Sequence, residues 1–260
     1  MRSPAEVYEA MFVPALFGAW AAVVCAAAGI AARQRVLDVA CGTGVLADAA
    51  RARVAPNGSV SGLDANDEML VVARRERPLV DWHLGRAEWL PFADASFDRV
   101  VSQFGLMFFD DRIAALREMR RVLRPGGRIA VAVWDALARS PGYAALAAVL
   151  AQQFGPTVAA AFAAPFVLGD ANGLLDLFAA AGLGGAQVSR HDGPVRFASI
   201  DALLAAERAC AWTLGGVLDD GEFERLCVAA PDALRGHVDA TGAISFSLPA
   251  LIVTVDTTTR

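Results

Sequence analysis

Between residues 35 and 135, short apolar runs alternate with longer segments whose apolar residues recur every three or four positions. The short runs are typical of buried strands, and the longer segments are typical of amphipathic helices. Their alternation predicts a parallel sheet wrapped by crossover helices. The predicted strands are Arg35–Val39, Ser59–Leu63, Val80–Leu84, Asp98–Ser102 and Arg128–Trp134.

Local start and stop signals place the helices between these strands. The first helix begins near Val45 and is stopped by Pro56-Asn57-Gly58, and the second is capped by Asn66 and Asp67. Before the last of these strands, an apolar stripe at helical spacing predicts a helix that Pro125-Gly126-Gly127 ends. The stripe consists of Ile113, Leu116, Met119, Val122 and Leu123.

Beyond residue 135 the pattern changes to alanine-rich helical stretches and shorter strand-like runs. The last runs are expected to extend the sheet, with helical insertions at about 136–170 and 198–240 placed to build a lid. This organisation predicts a helical cap at 1–33, a core at 34–135 and a C-terminal part at 136–260. The predicted elements are helices at Tyr143–Phe154, Ala171–Ala181, Ile200–Thr213 and Asp219–Ala229, a strand at Ala186–Arg190, and a final strand segment at Ala243–Asp256.

The segment from Met11 to Ala32 carries no charge and is about long enough to cross a bilayer. However, it is dominated by alanine and interrupted by Pro14 and Gly18, and acidic residues outnumber the basic one just before it. These features favour two short helices, broken near Pro14 and Gly18, that pack onto the domain. The sequence therefore predicts a cytoplasmic protein without a membrane span.

Composition narrows the possible partners. The 260 residues include 23 basic and 28 acidic ones, so the net charge of −5 offers no overall positive field for a nucleic acid backbone. The cysteines form no CxxC pair, and no histidine lies at metal-ligand spacing. We therefore expect a reduced protein without a metal. The residues concerned are Cys25, Cys41, Cys210 and Cys227, with His83, His191 and His237.

The first strand leads into a glycine turn, where Gly42 and Gly44 let the backbone turn tightly and let a ligand approach bare peptide. Together with Ala47, this pattern equally fits a dinucleotide fingerprint. Asp38 distinguishes the two ligand types, because its carboxylate near the strand end would repel a pyrophosphate and attract the α-ammonium of an amino acid. The turn therefore favours a ligand that contains an amino acid.

Asp64 lies at the tip of the second strand, where a carboxylate can accept hydrogen bonds from both ribose hydroxyls. Such a residue indicates a nucleoside without identifying it. Met69, on the following helix, is placed near the adenine or in the core, and the sequence leaves both open.

Several ordered motifs carry a resemblance to a known family. They are Asp38 to Gly44, Asp64, Gly85-Arg86-Ala87-Glu88-Trp89-Leu90-Pro91-Phe92, Ser96-Phe97-Asp98 and Leu123-Arg124-Pro125-Gly126-Gly127. Over roughly residues 34–134 the chain resembles the class I S-adenosylmethionine-dependent methyltransferases, in the branch of the ubiquinone and menaquinone C-methyltransferases. The resemblance implies an α/β fold with a Rossmann-like, doubly wound, mainly parallel seven-stranded sheet, an antiparallel last strand and helical cap or lid insertions.

The resemblance also implies roles for individual residues. The glycine loop, Asp38 to Gly44 with Ala40, would hold the methionine part of S-adenosylmethionine and Asp64 its ribose, while Ala87 and Glu88 would lie beside the adenine. Gln103 would lie under the sulfur. Arg86 stands where the family usually has aspartate, and because arginine accepts no hydrogen bond, the adenine amino contact is expected to pass to Glu88 or to a backbone carbonyl.

The loop Phe104–Phe109 is unusually apolar for a catalytic edge, and the leading segment adds further aromatic residues. Together they predict a pocket for a small, largely apolar acceptor that is aromatic, quinone-like or polyketide-like. Three weaker candidates have catalytic potential: His191 and His237 as bases, and Tyr8, which occupies a place where related enzymes carry a tyrosine near the cofactor. The predicted pocket residues are Phe12, Phe17, Trp20, Phe104, Met107 and Phe108.

Two other functions remain open at this point. The glycine turn also fits an NAD(P)-dependent oxidoreductase, and Arg86 also fits a non-catalytic protein that binds S-adenosylmethionine without transferring its methyl group. The predicted partner is a small-molecule acceptor, and the chain is expected to be a monomer or a homodimer.

Overall fold

The computed structural model describes residues 3–210 and 214–257. Its main sheet has seven strands in the order β3-β2-β1-β4-β5-β9-β6, and β9 runs antiparallel to both of its neighbours. This arrangement confirms the Rossmann-like sheet expected from the sequence, with its antiparallel last strand. The strands are β1 (Arg35–Val39), β2 (Ser59–Asp64), β3 (Asp81–Leu84), β4 (Phe97–Gln103), β5 (Leu123–Trp134), β6 (Gln187–His191), β7 (Pro194–Phe197), β8 (Ile244–Ser247) and β9 (Ala250–Asp256).

Helices surround this sheet near their predicted positions. The side chain of Asn66 caps its helix by accepting a hydrogen bond of 2.9 Å from the amide of Glu68. The helices are α1 (Pro4–Val7), α2 (Gly18–Ala27), α3 (Val45–Val54), α4 (Asp67–Glu76), α5 (Arg112–Val122), α6 (Pro141–Phe154), α7 (Pro156–Phe162), α8 (Ala171–Ala180), α9 (Ile200–Ala209) and α10 (Asp220–Leu234).

Two helix ends differ from the prediction. Helix α5 ends at Val122, and Leu123 instead begins β5 in an extended conformation. The reason is that Pro125 disfavours helical geometry at the residue before it, so the helix must end earlier than the apolar stripe suggests. Helix α10 continues beyond Ala229 to Leu234, because Leu226, Ala230 and Leu234 prolong its buried stripe. The predicted end of α9, at residues 211–213, lies outside the described residues.

The C-terminal run is two strands, whereas the sequence pattern predicts one. β8 pairs with β7 in a separate two-stranded antiparallel sheet, and only β9 enters the main sheet. Pro249, which has no amide to donate to a strand ladder, lies between the two strands. The short strand β7 has no counterpart in the prediction.

The leading segment is a continuous helix rather than two broken ones. Between α1 and α2, the residues Tyr8–Phe17 form a π-helical stretch that includes Pro14, and the amide of Gly18 donates to the carbonyl of Val13. A π-helical turn is wider than an α-helical one, and this relieves the clash that a proline ring causes inside a helix. The helix Pro4–Ala27 is long and apolar enough to cross a membrane by length and composition.

Polar contacts hold this leading helix over the carboxyl ends of the strands. Glu6 pairs with Arg75 at 2.9 Å, and Glu9 pairs with Arg77 at 2.8 Å. The side-chain amide of Gln103, the last residue of β4, donates to the carbonyl of Phe17 at 3.1 Å. Further along, α2 buries Trp20, Val24 and Cys25 in the main core. The helix therefore covers the sheet edge at which parallel strands present their loops.

Candidate active site

A cavity of about 400 Å³ opens at the carboxyl ends of the parallel strands. It lies where β1 and β4 are neighbours although they are not consecutive, which is the switch point at which open α/β sheets bind ligands. We call the lining residues from the loops after β1 to β4 the cofactor side. The acceptor side comprises the lining residues of the leading helix and those from Trp134 onwards.

Asp38, near the end of β1, is buried with only 1% of its surface exposed. Neither of its carboxylate oxygens has a hydrogen-bond partner among the described residues. Burial, followed by the nearby charge of Asp64, raises the pKa of Asp38 well above its ordinary range, and the nearby amide of Ala47, which is not in hydrogen-bonding geometry with either oxygen, opposes this rise only in part. A buried carboxylate without a partner is costly, so this side chain suits a cationic group held against the following loop. Ala40 and Gly42 of that loop line the cavity.

Asp64, the last residue of β2, binds the glycine turn directly. Its Oδ2 atom accepts a hydrogen bond of 2.7 Å from the amide of Gly42, and its Oδ1 atom accepts one of 2.8 Å from the amide of Asn66. Burial raises the pKa of Asp64, and these backbone hydrogen bonds oppose the rise. The carboxylate thus lines the cavity in a fixed orientation.

Gly44 contributes to the site through packing. A Cβ atom at this position would meet the ring of Trp82, and its φ angle of +96° is one that side chains rarely adopt. The indole of Trp82 donates to the carbonyl of Arg77 at 3.1 Å, and Arg77 in turn donates to the carbonyl of Thr43 at 2.9 Å. Gly44 therefore lets Trp82 and Arg77 support the turn from outside, and it does not itself line the cavity.

Two non-glycine residues have left-handed backbone conformations at neighbouring strand ends. Ala40 follows β1 with a φ angle of 57°, and Phe104 follows β4 with a φ angle of 59°. Both line the cavity, and such backbone strain concentrates at functional sites. The loops approach so closely that a Cβ atom on Gly105 would lie 2.5 Å from that of Ala40. Gly105 could not be predicted from the sequence, because the local pattern carries no signal for this close approach.

The loop after β3 brings the residues predicted near adenine to the cavity. Glu88 accepts hydrogen bonds from the backbone amides of Asp110 and Asp111, at 3.0 and 3.4 Å. Arg86 forms ion pairs with Asp110 and, at 3.4 Å, with Glu88. Together these contacts join the β3 loop to the segment before α5. Arg86, Ala87 and Glu88 all line the cavity.

Stacked aromatic rings form one wall of the cavity. The rings of Phe104 and Trp134 stack with 3.4 Å between their centroids, and Phe17 lies 5.7 Å from Phe104. Tyr8 stacks on Phe17 at 4.9 Å. Trp20 packs edge-on against Phe104 and Trp134 from behind and is itself excluded from the lining. The wall is thus a layer of rings supported by a second aromatic layer.

Comparison with known proteins agrees with this geometry. Residues 37–131 match the family model described as a methyltransferase domain. This segment is therefore similar to a methyltransferase domain. A demethylmenaquinone methyltransferase from Chlorobaculum parvum is 46% identical over 93 residues, which are 36% of this chain and 38% of that protein. A ubiquinone/menaquinone biosynthesis C-methyltransferase from Bordetella avium is 38% identical over 144 residues, covering 53% of this chain and 56% of that protein.

The chain therefore spans from about two fifths to just over half of the length of the curated relatives compared here. Among solved structures, the YcgJ protein from Bacillus subtilis superposes with a TM-score of 0.61 at 23% identity, over 92% of this chain and 97% of that one. That likeness concerns the fold alone. The resemblance to class I methyltransferases of the ubiquinone and menaquinone branch is confirmed.

Most of the residues predicted from the sequence meet at this cavity. Asp38, Gly44, Trp20 and Met107 lie outside the lining. Those that line it are Tyr8, Phe12, Phe17, Ala40, Gly42, Asp64, Met69, Ala87, Glu88, Gln103, Phe104 and Phe108.

The candidate bases have different surroundings. His191 lies on β6 with its Nε2 atom 3.0 Å from the hydroxyl of Ser189, and His237 packs on Phe246. Neither histidine lines the cavity. Tyr8 does, but burial, and then the charge of Asp64, raises the pKa of its hydroxyl well above the ordinary value. Near neutral pH Tyr8 therefore stays protonated and can donate a hydrogen bond.

The cavity also has lining residues that were not predicted from the sequence. Most of them come from the segments after β5, where the alanine-rich pattern does not indicate which helix face would meet the site. Within the described residues, no group of three or more histidine, cysteine, aspartate or glutamate side chains could hold a metal ion. The additional lining residues on the acceptor side are Trp134, Tyr143, Phe162, Pro165, Phe166, Glu207, Cys210 and Leu248, with Leu16 from the leading helix.

Proposed function

We propose that the protein is an S-adenosylmethionine-dependent methyltransferase that acts on a small, largely apolar acceptor. The observation that carries this proposal is Asp38, a buried carboxylate without a hydrogen-bond partner at the end of β1. Such a group needs a positive charge nearby, and the α-ammonium of S-adenosylmethionine provides one. A pyrophosphate at the same turn would add a second negative charge and raise the cost further.

The remaining cofactor contacts follow from the same loops. The backbone of Ala40 and Gly42 would hold the methionine part. Asp64 would hold the ribose, whose hydroxyls can compete with the amides of Gly42 and Asn66 for the carboxylate oxygens. Met69 and Ala87 would border the adenine, and Gln103 would lie near the sulfur. These roles place the cofactor along the cofactor side of the cavity.

S-adenosylmethionine supplies a methyl group activated by a positively charged sulfur. The protein's task is then to align the acceptor with that methyl group and to exclude water. Phe12 and Phe17 on the leading helix, with Phe104 and Trp134 on the sheet edge, provide an apolar wall for a flat acceptor. No deprotonating role is assigned to His191 or His237, because both lie outside the cavity lining.

The acceptor is proposed to be a quinone-like or other aromatic molecule. The support is the stacked wall of Phe104 and Trp134 together with the names of the relatives, a demethylmenaquinone methyltransferase and a ubiquinone/menaquinone biosynthesis C-methyltransferase. Apolar walls favour ring burial by about 25 cal/mol per Å² and penalise an unpaired phosphate. Nucleic acid is disfavoured by the same walls and by the net charge of −5.

We also propose that the protein is cytoplasmic and that its leading helix serves as a cap. This proposal is supported by the burial of Trp20, Val24 and Cys25 of that helix in the main core. Its ion pairs to Arg75 and Arg77 support it as well. The cap at 1–33, the cofactor-binding core at 34–135 and the C-terminal part at 136–260 are kept as the proposed division of the chain.

Two measurements test the proposed function. Calorimetry with S-adenosylmethionine, S-adenosylhomocysteine and NAD should show binding of the first two only; tighter binding of NAD would overturn the assignment.

A transfer assay with a labelled methyl donor then compares phenols, reduced quinones, small amines, RNA, DNA and proteins. We expect turnover of phenols or reduced quinones. Turnover of only RNA, DNA or proteins would contradict the proposed acceptor class.

A further inference from the structure

The acceptor side contains one buried acidic group that the proposed mechanism has not used. Glu207 on α9 lines the cavity with only 2% of its surface exposed, and its Oε1 atom accepts a hydrogen bond of 2.7 Å from the hydroxyl of Tyr143 on α6. Tyr143 also lines the cavity and is buried. Both residues come from segments outside the part of the chain that matches the methyltransferase domain model.

The surroundings of this pair are apolar. The ring of Tyr143 lies 5.9 Å from each of the Phe162 and Phe166 rings and 5.2 Å from the Phe246 ring. On α9, Glu207 continues the buried face formed by Leu203 and Leu204. A leucine there would complete that face without the cost of burying a carboxylate. Local conflicts of this kind are characteristic of functional positions.

The basic residues described near Glu207 bind other groups. Among the described lining residues Arg86 is the only basic one, and it is engaged by Asp110 and Glu88. Arg208, the next residue after Glu207, is directed to the carbonyl of Leu218 and to Asp220. A carboxylate offers about four lone-pair sites, so Glu207 can accept from Tyr143 and from a ligand together.

We infer that Glu207, positioned by Tyr143, accepts a hydrogen bond from a hydroxyl group of the acceptor and thereby selects hydroxylated aromatic acceptors over aromatic rings without a donor. This inference rests on the proposed function, because it assigns the acceptor side of that same cavity. A hydrogen bond from a neutral donor to a charged carboxylate is stronger than one between neutral groups. An aromatic ring lacking a donor cannot make this hydrogen bond and therefore gains nothing from the carboxylate.

The test uses two probes of similar shape, 1-naphthol and 1-methylnaphthalene, with calorimetry on the whole chain saturated with S-adenosylhomocysteine. The measured quantity is the ratio of the two dissociation constants, which isolates the contribution of the hydroxyl group to binding from that of the ring. The variants are Glu207→Leu, the isosteric Glu207→Gln, and Tyr143→Phe. The matched control is Glu224→Leu on α10, which is exposed and does not line the cavity.

We expect the preference for 1-naphthol to fall about tenfold or more in Glu207→Leu, in line with the strength of hydrogen bonds to charged groups. The fall should be smaller in Glu207→Gln, whose amide oxygen still accepts, and in Tyr143→Phe, which removes only the hydroxyl that positions Glu207. The preference should persist in Glu224→Leu. Affinity for S-adenosylhomocysteine should match the wild type in every variant, which also shows that the variants fold.

An unchanged preference in Glu207→Leu would overturn the inference and leave the pair with a structural role. The same holds if the wild type shows no preference for 1-naphthol. Loss of S-adenosylhomocysteine affinity in both Glu207 variants would place Glu207 at the cofactor instead and overturn it as well. Failure of the wild-type protein to bind S-adenosylhomocysteine at all would refute the proposed function itself, so the two failures are distinguishable.

Discussion

The cofactor side and the acceptor side of the cavity are built in different ways. The cofactor side consists of short loops after β1 to β4, within or beside the segment 37–131 that matches the methyltransferase domain model. Its polar groups are fixed by the backbone, as in the hydrogen bond from Gly42 to Asp64. The acceptor side consists of side chains from the leading helix and from residues after Trp134, which are distant in sequence.

This difference separates what is common to the fold from what is particular to the chain. Backbone turns and strand-end carboxylates can hold one cofactor in many proteins, because they depend on local geometry. Rings such as Phe17 and Phe166 can be exchanged without altering those turns. The predictions below test whether the two sides are energetically independent.

The largest effect on the cofactor side is expected for Asp38→Asn. Removing one partner of a buried ion pair costs about 3–5 kcal/mol, so S-adenosylmethionine affinity should fall by that amount in calorimetry. The matched control is Asp48→Asn, an exposed aspartate on α3 that should leave affinity unchanged. Equal affinity of Asp38→Asn and the wild type would remove Asp38 from the site.

The same variant should have the opposite effect on stability without ligand. Burial raises the pKa of Asp38 above its ordinary value of 3.8, so the folded state binds the proton more tightly than the unfolded state. Wild-type stability should therefore decline as the pH rises from about 4 towards the raised pKa, whereas Asp38→Asn lacks this decline. At neutral pH the variant should be more stable by about 1–3 kcal/mol in urea unfolding. A less stable variant would contradict the view that Asp38 has no protein partner.

Trp20, behind the ring wall, and Phe108, in the loop after β4, should separate support of the wall from recognition of the acceptor. Trp20 is 1% exposed and lies behind the ring wall, so Trp20→Ala should reduce the free energy of unfolding by about 3–5 kcal/mol. Phe108 lines the cavity and is 46% exposed, so Phe108→Ala should cost little stability and instead raise KM for the acceptor. Urea unfolding and methyl-transfer kinetics measure the two effects. If Trp20→Ala raised KM for the acceptor without changing the free energy of unfolding, the assignment of a supporting role to Trp20 would be wrong.

A smaller effect is expected at the ribose. Asp64→Ala should weaken S-adenosylmethionine binding by about 1.5–3 kcal/mol, the range for hydrogen bonds to a charged group. Part of this loss arises because the Gly42 amide loses its acceptor and the turn loosens. Asp67→Ala, an exposed aspartate in the first turn of α4, is the control for calorimetry. If both variants bind equally well, Asp64 does not contact the ribose.

The sequence predicted the cofactor side more fully than the acceptor side for a physical reason. Strand ends, turns and caps depend on neighbouring residues, so Arg35–Val39 and the Asn66 cap agree with the structure. Local pattern gives the wrong element at two places: around Pro14, where the helix continues through the proline as a π-helical stretch, and in the C-terminal run, where β8 pairs with the distant β7.

The same limit applies to individual site residues. Tyr143 and Glu207 meet across 64 positions of sequence, and nothing in either helix alone indicates that meeting. Trp20 was expected at the pocket because it is aromatic and on the leading helix, but helical phase directs it behind Phe104. Gly44 leaves room for the ring of Trp82, a contact that the glycine motif does not encode.

The smallest predicted effect concerns the adenine end, where Arg86 replaces the usual aspartate. Glu88 already accepts from the amides of Asp110 and Asp111, so its carboxylate both orders that loop and faces the cavity. Arg86 has an exposed side chain, so its ion pair with the exposed Asp110 is screened by solvent and contributes little.

Glu88→Ala should therefore weaken S-adenosylmethionine binding by about 1–2 kcal/mol, whereas Arg86→Ala should change it by less than about 1 kcal/mol. Glu88→Gln separates the charge of Glu88 from its capacity to accept hydrogen bonds. The amide oxygen of the glutamine can still accept from the amide of Asp110 or from the adenine amino group, but it carries no charge. Calorimetry on the three variants gives the order. If Arg86→Ala weakens binding most, the guanidinium itself contacts the adenine ring. The replacement of aspartate by arginine has then created a different contact with adenine and has not moved the contact to Glu88.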